Sequence, residues 1–445
     1  MISDSSRREE IPSSRQPWYE GAKRGQWLAL AAALLGWMFD GFEQGVFPLV
    51  ARPALISLLN LGDHATAAKD QSLSKEARDA ERAAVDEPVR QWNGILSVAF
   101  LLGAALGGFV FGWIGDRVGR VRAMVFSVLT YALFTGGCGL VQQPWQLVLL
   151  RFLAALGMGG EWSLGVALVM ESWSAHARPV LAGLIGAAAN LGFLIVSLVG
   201  LALNPDDYWR VILVVCVLPA LLTFFFRMFV PESKSWEHVS ATMPRPGLGV
   251  IFVPGLRHRS LLGAGLGAVA LLATWGAVQW IALWVGQVRP GSGVVAQICS
   301  AAGATIGSFL AAFYGSRLSR RWGYTLLCLT ALGVCEFLFL VMNPASTFAL
   351  FLGIVFLVGA SSAAFYGWLP LYLPELFPTR VRATGQGFCY NAGRVLAAIG
   401  VLSTTFVIDL KGNYAQAGAL VCLVYLVGIV LARFIPETKG QPLPE

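Results

Sequence analysis

Six charged residues stand inside long apolar stretches of this 445-residue sequence. They are Asp40, Glu43, Arg151, Glu161, Glu336 and Arg394. If these stretches lie in a membrane, a charge at the centre of one costs at least about 2.5–3.5 kcal/mol on insertion scales. Such residues are kept where they face a water-filled cavity or a partner of opposite charge, so they are the first candidates for chemistry.

The stretches that hold these charges are long enough to cross a bilayer. A hydrocarbon core of about 30 Å needs about 20 mostly apolar residues as a helix, and lipid cannot satisfy an open backbone. The sequence predicts twelve helices, numbered here 1 to 12, at 26–50, 93–114, 123–141, 145–170, 180–203, 208–230, 260–286, 294–314, 324–342, 346–373, 383–408 and 414–435.

The composition supports a membrane protein. The sequence is 56% hydrophobic and 13% charged, with a net charge of +7, whereas a soluble protein is about 25% charged. The basic residues lie in short loops between apolar stretches, which favours the lipid bilayer over nucleic acid as partner. The seven cysteines lack metal-ligand spacing. No phosphate-binding loop or nucleophile elbow is present, so we expect no cofactor, no metal and no enzyme activity.

The distribution of Lys and Arg predicts the orientation. Basic residues are abundant in the segments that share a side with the N-terminus, whereas the short loops on the other side hold only Arg210, Arg289 and Lys411. Because basic loops stay inside, we predict that both termini are cytoplasmic and that the chain lies in the plasma membrane (cell inner membrane).

The two halves of the chain echo each other. GDRVGR begins at Gly115 and GSRLSRRWG at Gly315, while Arg178 and Arg382 open similar segments before helices 5 and 11. Six helices per repeat give parallel halves, so we predict an all-α membrane protein of two pseudo-symmetric six-helix bundles. The predicted parts are a tail at 1–25, a first bundle at 26–230 with an outer loop at 51–92, a linker at 231–259, a second bundle at 260–435 and a tail at 436–445. We expect the outer loop to form an external helical cap or hairpin; the alternative is a solvated insertion without a role in transport.

Together these motifs resemble the major facilitator superfamily. The resemblance rests on GDRVGR, RFLAALGMGGEW, PES, PELFPTRVRATGQG and IPETKG. Within the superfamily, DGFE, RFLAALGMGGEW and ESW look like the metabolite:proton symporters, which include carriers of sialate, aromatic acids and other organic acids. PES and PETKG are also similar to the sugar porters. The Gln-Leu-Ser motif of sugar porters and the Gly-Pro motif of drug antiporters are both missing.

The resemblance implies a secondary active transporter that works by alternating access. We expect proton-coupled uptake of a small organic acid, with a small anionic substrate, protons and lipid as partners, and a monomeric state. Two alternatives stay open: a sugar or organic-cation carrier of the same superfamily, and a membrane sensor or receptor that binds without transport.

The repeated loop motif is a candidate cytoplasmic gate. Asp116 could sit against a helix N-terminus, where partial positive charge favours an anion, or against an arginine of the other half. The alternative is a basic loop that only fixes topology. In the second copy, serines replace the aspartate and one glycine. The predicted gate residues are Gly115, Asp116, Arg117, Gly119, Arg120, Arg317 and Arg320.

Helix 1 carries two acids on one face, since Asp40 and Glu43 are three residues apart. Arg151 of helix 4 lies at a matching depth, so we predict a cluster of these three residues. Because two nearby carboxylates resist joint ionisation, one can bind a proton near neutral pH. The alternative is a static ion pair. Glu161 is either a second proton site or a partner of arginines near the inner end, and Glu336 is expected to serve packing.

Arg394 is the sharpest substrate candidate, because a guanidinium in a low-dielectric cavity can grip a carboxylate in bidentate fashion. The alternative is a charge partner for helix 1 or Glu336. Asn190 occupies the equivalent position of the first half. The predicted substrate-binding set is Arg394, Asn190, Gln279, Trp280, Tyr366, Gln386, Tyr390 and Asn391.

Overall fold

A computed structural model describes residues 17–202, 205–289, 292–411 and 414–445. Within these ranges the chain forms α-helices and short 3-10 turns, with no strand. Residues 1–16 of the predicted N-terminal tail lie outside the described part.

Twelve helical segments follow the predicted order. Helices 6, 7 and 12 are each interrupted. The bounds are Arg24–Leu58, Lys75–Val118, Arg120–Cys138, Pro144–Ser172, Arg178–Ala202, Pro205–Val215 with Val217–Arg227, Arg257–Gly276 with Ile281–Val288, Gly293–Arg317, Arg320–Val341, Phe348–Tyr372, Arg382–Lys411, and Tyr414–Cys422 with Val424–Leu431.

Among the described residues, nine helices are long and apolar enough to cross a membrane. The other three segments are helix 1, which carries Asp40 and Glu43, helix 6, which is broken at Cys216, and helix 11. The fold is an all-α membrane fold of twelve spans in two six-helix bundles.

Helices 1 and 2 run further than predicted. Helix 1 continues to Leu58 instead of ending near residue 50, and helix 2 begins at Lys75 instead of residue 93. The Ala-rich segment before helix 2 favours a helix, and the Ser74 hydroxyl caps it by accepting from the Ala77 N–H over 3.2 Å. We call the end of the molecule with this segment, residues 51–92, the hairpin face.

The opposite end carries the turn between helices 2 and 3 and the C-terminal segment 436–445. We call it the tail face. Here the Thr379 N–H donates to Pro444 O over 3.2 Å, and Arg321 Nε donates to Ile435 O over 2.9 Å. The C-terminal segment is therefore packed against the second bundle.

The two bundles meet where helix 2 packs against helix 11 and helix 5 against helix 8. Glycines bring the backbones together, as in membrane helix pairs generally. A Cβ at Gly112 would lie 2.5 Å from Ala383 O, and one at Gly183 would lie 2.7 Å from Phe309 O. Helix 4 packs against helices 1, 2 and 11. These four helices therefore surround the charged centre of the molecule.

Candidate functional site

Glu43 of helix 1 and Arg151 of helix 4 form a buried ion pair. Arg151 Nη1 donates to Glu43 Oε1, and Thr135 Oγ1 of helix 3 donates to the same oxygen over 3.3 Å. The Arg151 guanidinium also lies 4.2 Å from the ring centroid of Phe47 and 4.4 Å from that of Phe100. Two of the three residues predicted to form a cluster are therefore together, and their charges compensate each other.

A second buried ion pair joins Glu161 of helix 4 to Arg227 of helix 6. Arg227 Nη1 donates to Glu161 Oε2 over 3.0 Å and to Met124 O over 3.1 Å. Gly36 of helix 1 leaves room for the pair, because a Cβ there would collide with both side chains. Two roles were predicted for Glu161, a proton site and a partner of arginines. Its ion pair with Arg227 matches the second role.

Arg227 was not predicted to be a buried charge. It lies near the end of helix 6, where an arginine usually marks the inner end of a span. Its side chain is 1% exposed, so it belongs to the core. The signal that could have found it is the acid Glu161, since a buried carboxylate requires a partner.

Asp40 takes part in neither ion pair, although it shares a face of helix 1 with Glu43. Its side chain is fully buried, and neither carboxylate oxygen has a hydrogen-bond partner. The charged groups that act on it are Arg227, Glu43 and Arg394. The predicted contact between Asp40 and Arg151 is therefore absent from this arrangement, and Asp40 stands as a separate buried acid.

Arg394 of helix 11 is also buried and lacks a carboxylate partner among the described residues. Its Nε and Nη1 atoms have no hydrogen-bond partner, while the side chain of Tyr390 hydrogen-bonds to it. The guanidinium carbon lies 5.8 Å from the ring centroids of both Phe100 and Tyr390. This cation thus has two unused donor groups at the centre of the molecule.

Aromatic side chains line the level just below Arg394. The ring of Trp162 stacks on that of Tyr390 with centroids 3.9 Å apart. Trp37 and Tyr366 approach Tyr390 at 6.2 and 6.3 Å. The indole N–H groups of Trp37 and Trp162 have no partner. Apolar walls with a few unpaired polar groups are typical of small-molecule sites.

Two predicted substrate residues on helix 11 donate hydrogen bonds to the opposite bundle. Gln386 Nε2 donates to Ser163 O, and Asn391 Nδ2 donates to Gly159 O over 3.2 Å. Both amides are fully buried. Both carbonyls belong to the glycine-rich part of helix 4, where the small side chains let helix 11 approach the backbone closely. We call these two hydrogen bonds the amide latch.

Asn190, the predicted counterpart of Arg394, lies at the contact between helices 5 and 8. Its Nδ2 donates to Ser308 Oγ over 3.1 Å and to Gly186 O over 3.1 Å. The hydroxyl of Tyr366 donates to Thr274 Oγ1 over 2.8 Å. Asn190 therefore joins the bundles, whereas Tyr366 is next to Tyr390.

Gln279 and Trp280 lie at the break in helix 7, where a 3-10 turn spans Val278–Trp280. The Gln279 side chain is exposed, and Trp280 Nε1 donates to Trp275 O over 3.0 Å. Trp275 is the aromatic residue of this helix that reaches the centre, with its ring 5.6 Å from Phe100.

Glu336 of helix 9 lies away from the central charges. Its side chain is partly buried, and its Oε1 atom has no hydrogen-bond partner. Its nearest ionisable neighbours include the Cys422 thiol of helix 12. The expectation of a packing role for Glu336 stays a prediction.

At the tail face, Asp116 of helix 2 binds the N-terminus of helix 11. Its Oδ2 accepts from the Thr384 N–H over 2.8 Å and from the Thr384 hydroxyl over 2.5 Å. Its Oδ1 accepts from the Ala383 N–H over 3.2 Å and from Arg120 over 2.6 Å. Of the two predicted partners, Asp116 binds the helix N-terminus, which belongs to the other bundle. The arginine that pairs with it, Arg120, belongs to its own bundle and not to the other half as predicted.

Glu171, at the end of helix 4, links arginines of the two bundles. It accepts from Arg120 Nη2 over 2.9 Å and from Arg382 Nη1 over 3.0 Å. Arg120 Nη2 also donates across the bundles to Thr379 O over 2.7 Å. Glu171 was not among the predicted gate residues, although the ESW motif that contains it was part of the resemblance.

Gly119 forms the tight turn between helices 2 and 3 with φ at +112°, a conformation that favours glycine. Glu232 caps helix 3 by accepting from the Arg120 N–H over 2.9 Å and the Val121 N–H over 3.1 Å. A Cβ at Gly119 would collide with Glu232. Burial raises the pKa of Glu232 above its usual range, and hydrogen bonds from the N–H groups of Ser233 and Val121 partly offset this effect.

The second bundle repeats the contacts that Arg120 makes within the first bundle. We call this set of contacts within one bundle the local brace. Arg320 Nη2 donates to Glu375 Oε1 over 2.7 Å, and its Nη1 donates to Gly315 O over 3.0 Å. Glu437 accepts from the Arg320 N–H over 2.9 Å, and the Thr438 hydroxyl donates to Glu375 over 2.6 Å. In the first bundle, Arg120 donates in the same way to Glu171 and to Gly115 O. Glu232 accepts from the Arg120 N–H, and the Ser233 hydroxyl donates to Glu171.

The contact across the bundles is not repeated. Ser316 replaces Asp116 and makes only a local hydrogen bond to Phe313 O over 2.7 Å. Arg317 stacks on Phe313 at 4.5 Å, as Arg117 stacks on Trp113 at 4.7 Å. The two stacked arginines thus lie outside the brace.

A comparison with protein families gives the identity. The model described as Major Facilitator Superfamily matches residues 90–400. The chain belongs to the major facilitator superfamily. It is therefore a multi-pass membrane transporter of small molecules and not an enzyme.

Relatives of the chain within this superfamily are transporters. It is 29% identical over 441 residues to the probable 4-methylmuconolactone transporter of Cupriavidus pinatubonensis, covering 95% of this chain and 93% of that one. It is 29% identical over 365 residues to the cis,cis-muconate transport protein of Acinetobacter baylyi, covering 78% and 86%.

The fold agrees with a solved member of the superfamily. The proton:xylose symporter XylE superposes with a TM-score of 0.73 at 16% identity, covering 94% of this chain and 97% of XylE. At this identity the match concerns the fold.

Proposed function

We propose that the chain imports a small organic acid together with protons by alternating access. The observation that carries the proposal is Arg394, a buried guanidinium at the centre with Nε and Nη1 unpartnered. A buried polar group left without a partner costs about 1–3 kcal/mol, and more if it is charged. A carboxylate ligand would remove this cost through two parallel charge-assisted hydrogen bonds.

The surroundings of Arg394 fit an organic acid. Tyr390, Trp162 and Trp37 offer apolar faces just below it. The other central arginines, Arg151 and Arg227, are already neutralised by glutamates. Arg394 is therefore the cation to which an anionic substrate would bind. The names of the relatives, which refer to muconate and 4-methylmuconolactone, support the same class of substrate.

Asp40 is the proposed proton carrier. It is fully buried and accepts no hydrogen bond, so its charge has no direct compensation. A group of this kind can take up a proton without breaking an ion pair. Glu43 and Glu161, by contrast, would have to leave Arg151 and Arg227 unpaired.

The tail-face contacts form the proposed gate. Asp116 and Glu171 tie the first bundle to Thr384 and Arg382 of helix 11. These bonds hold the tail face shut, and inward opening requires that they break. From the distribution of Lys and Arg, we propose that the tail face is cytoplasmic, that the membrane is the cell inner membrane and that the carrier works as a monomer.

The test is uptake by purified protein in proteoliposomes. Radiolabelled benzoate, nicotinate, cis,cis-muconate, glucose and choline are supplied with and without an inward proton gradient. We expect uptake of at least one carboxylate, driven by the gradient, and loss of its binding in Arg394→Gln. The control Arg433→Gln removes an exposed arginine from the end of helix 12 and should behave as the wild type.

Three outcomes would contradict the proposal. Uptake of glucose or choline but no carboxylate would identify a carrier of another class. Binding without any uptake would identify a sensor, for which the transporter relatives give no support. An unchanged Michaelis constant in Arg394→Gln would remove this residue from the substrate site.

A further inference from the structure

The buried charges of the described residues are almost all paired. Ten buried residues carry a formal charge, and eight of them belong to ion pairs with carboxylates or arginines. The exceptions are Asp40 and Arg394, which have opposite signs. Each retains side-chain atoms without a hydrogen-bond partner.

Helix geometry brings these two residues to the same level, and the charge of Arg394 acts on Asp40. Asp40 is one turn above Trp37 on helix 1, and Arg394 is one turn above Tyr390 on helix 11, because both helices rise from the tail face. The rings of Trp37 and Tyr390 are 6.2 Å apart. Residues three or four apart share a helix face. Asp40 and Arg394 therefore lie one turn further along the contact between helices 1 and 11.

Arg394 also shares an aromatic neighbour with the nearest ion pair. Phe100 of helix 2 lies 5.8 Å from the Arg394 guanidinium and 4.4 Å from that of Arg151. Glu43 already neutralises Arg151. A ligand that enters this region therefore meets one uncompensated positive charge.

We propose that the central site binds one carboxylate and one proton per cycle, so that the substrate is a monoanion and its net transport is electroneutral. The inference rests on the proposed function and adds the charge of the substrate and the coupling ratio. Both follow from charge balance in a buried site.

Without ligand, the negative Asp40 and the positive Arg394 balance each other across the site. A carboxylate on Arg394 neutralises that cation and leaves Asp40 without a counter-charge. The cost of an uncompensated buried charge then favours binding of a proton to an Asp40 oxygen. The loaded site is neutral again, and each ligand promotes binding of the other.

The other groups around Asp40 leave this balance unchanged. Glu43 on helix 1 is paired with Arg151, and Glu161 on helix 4 is paired with Arg227 on helix 6. The remaining titratable neighbours are the hydroxyls of Tyr131 on helix 3 and Tyr390 on helix 11. Among the described residues around the central site, a second carboxylate on the substrate would find no cation without an acidic partner.

The experiment compares each dicarboxylate with its own monoester. Proteoliposomes receive cis,cis-muconate, terephthalate and the monomethyl ester of each at pH 7.5, where both carboxyl groups of the diacids are ionised. Initial rates are measured with a proton gradient alone and with a potassium–valinomycin potential alone. We expect gradient-driven accumulation of a monoester, no response to the potential, and at least tenfold weaker uptake of the parent diacid.

A rate that follows the membrane potential, or a diacid carried as well as its monoester, would overturn the charge inference but leave proton-coupled import intact. No uptake of any of the four acids would overturn both proposals. These results separate the failure of the inference from that of the function on which it rests.

A variant tests the pairing itself. Asp40→Asn removes the proton site and leaves Arg394 unbalanced, so the empty carrier cannot return as a neutral unit. We expect net accumulation to be lost while counterflow exchange of the monoester persists, which also shows that the variant is folded. Asp70→Asn, an exposed carboxylate of the hairpin face, is the control. Full gradient-driven accumulation in Asp40→Asn would refute the pairing.

Discussion

Replacement of Asp116 by asparagine tests the tail-face gate most directly. The carboxylate accepts two backbone N–H groups, from Ala383 and Thr384, and the Thr384 hydroxyl, and it pairs with Arg120. Asparagine keeps the shape but removes the charge and turns one acceptor oxygen into a donor. The first-turn N–H groups of helix 11 then lose most of their compensation.

The expected magnitude follows from the bonds that cross the bundles. A hydrogen bond to a charged group contributes about 1.5–3 kcal/mol, and part of it survives through the amide oxygen of asparagine. A net loss of about 2 kcal/mol from the closed state changes the ratio of closed to open molecules by about thirtyfold. The tail face of Asp116→Asn should therefore be open for a much larger share of the time.

Cysteine labelling from the tail side can measure this shift. Ser163 is fully buried on helix 4 under Gln386, so Ser163→Cys reports opening between helices 4 and 11 with little change in shape. We expect labelling of this cysteine by a membrane-impermeant maleimide to be about thirtyfold faster in Asp116→Asn.

The matched control lies in the second repeat. Ser316 occupies the position equivalent to Asp116 but makes only a local bond to Phe313 O. Ser316→Ala should leave the labelling rate within twofold of the starting protein. Equal acceleration in both variants, or no acceleration in Asp116→Asn, would refute the assignment of the gate to the bonds between Asp116 and helix 11.

Two further predictions concern packing and the amide latch. Gly36→Ala forces a methyl group against the Glu161–Arg227 pair. We expect overpacking to lower the free energy of unfolding by about 1–3 kcal/mol and to lower the melting temperature in a thermal-shift assay. The control Gly333→Ala, whose methyl group meets no neighbour within 4 Å, should leave the melting temperature unchanged. Asn391→Leu removes a hydrogen bond to Gly159 O, so we expect faster labelling of Ser163→Cys from the tail side. An unaltered labelling rate would show that the amide latch does not hold the bundles together.

Much of the fold could be predicted from the sequence, because the length and polarity of the helices are set by the bilayer. The helix order and the all-α class are confirmed. Helices 1 and 2 continue beyond their predicted spans into the outer segment 51–92, since the polar extensions follow helix propensity and capping at Ser74 rather than hydrophobicity. Hydropathy carries no information on how far a helix continues in water.

The candidate site was harder to predict, because pairing depends on the rotation of each helix. Depth along helices 1 and 4 suggested that Asp40 and Glu43 would both reach Arg151, but only Glu43 does so. The glycine contacts that help to set these rotations act through packing, and a single sequence does not show which helices meet. For the same reason the sequence did not show that the side-chain amides of Gln386 and Asn391 donate to helix 4; their role in substrate binding stays a prediction.

The two repeats share their local brace but differ in the contact that crosses between bundles. Helix 5 begins with Arg178 and Pro179, so the position equivalent to Ala383 has no N–H group to offer. Ser316, the counterpart of Asp116, carries no charge. Each bundle therefore has its own set of local contacts, while among the described residues the ion pair that crosses between the bundles joins Glu171 to Arg382. We therefore expect opening of the tail face to break the contacts of helix 11 with Asp116 and Glu171 and to keep the contact between helices 5 and 8, where Gly183 and the hydrogen bond from Asn190 to Ser308 join the bundles.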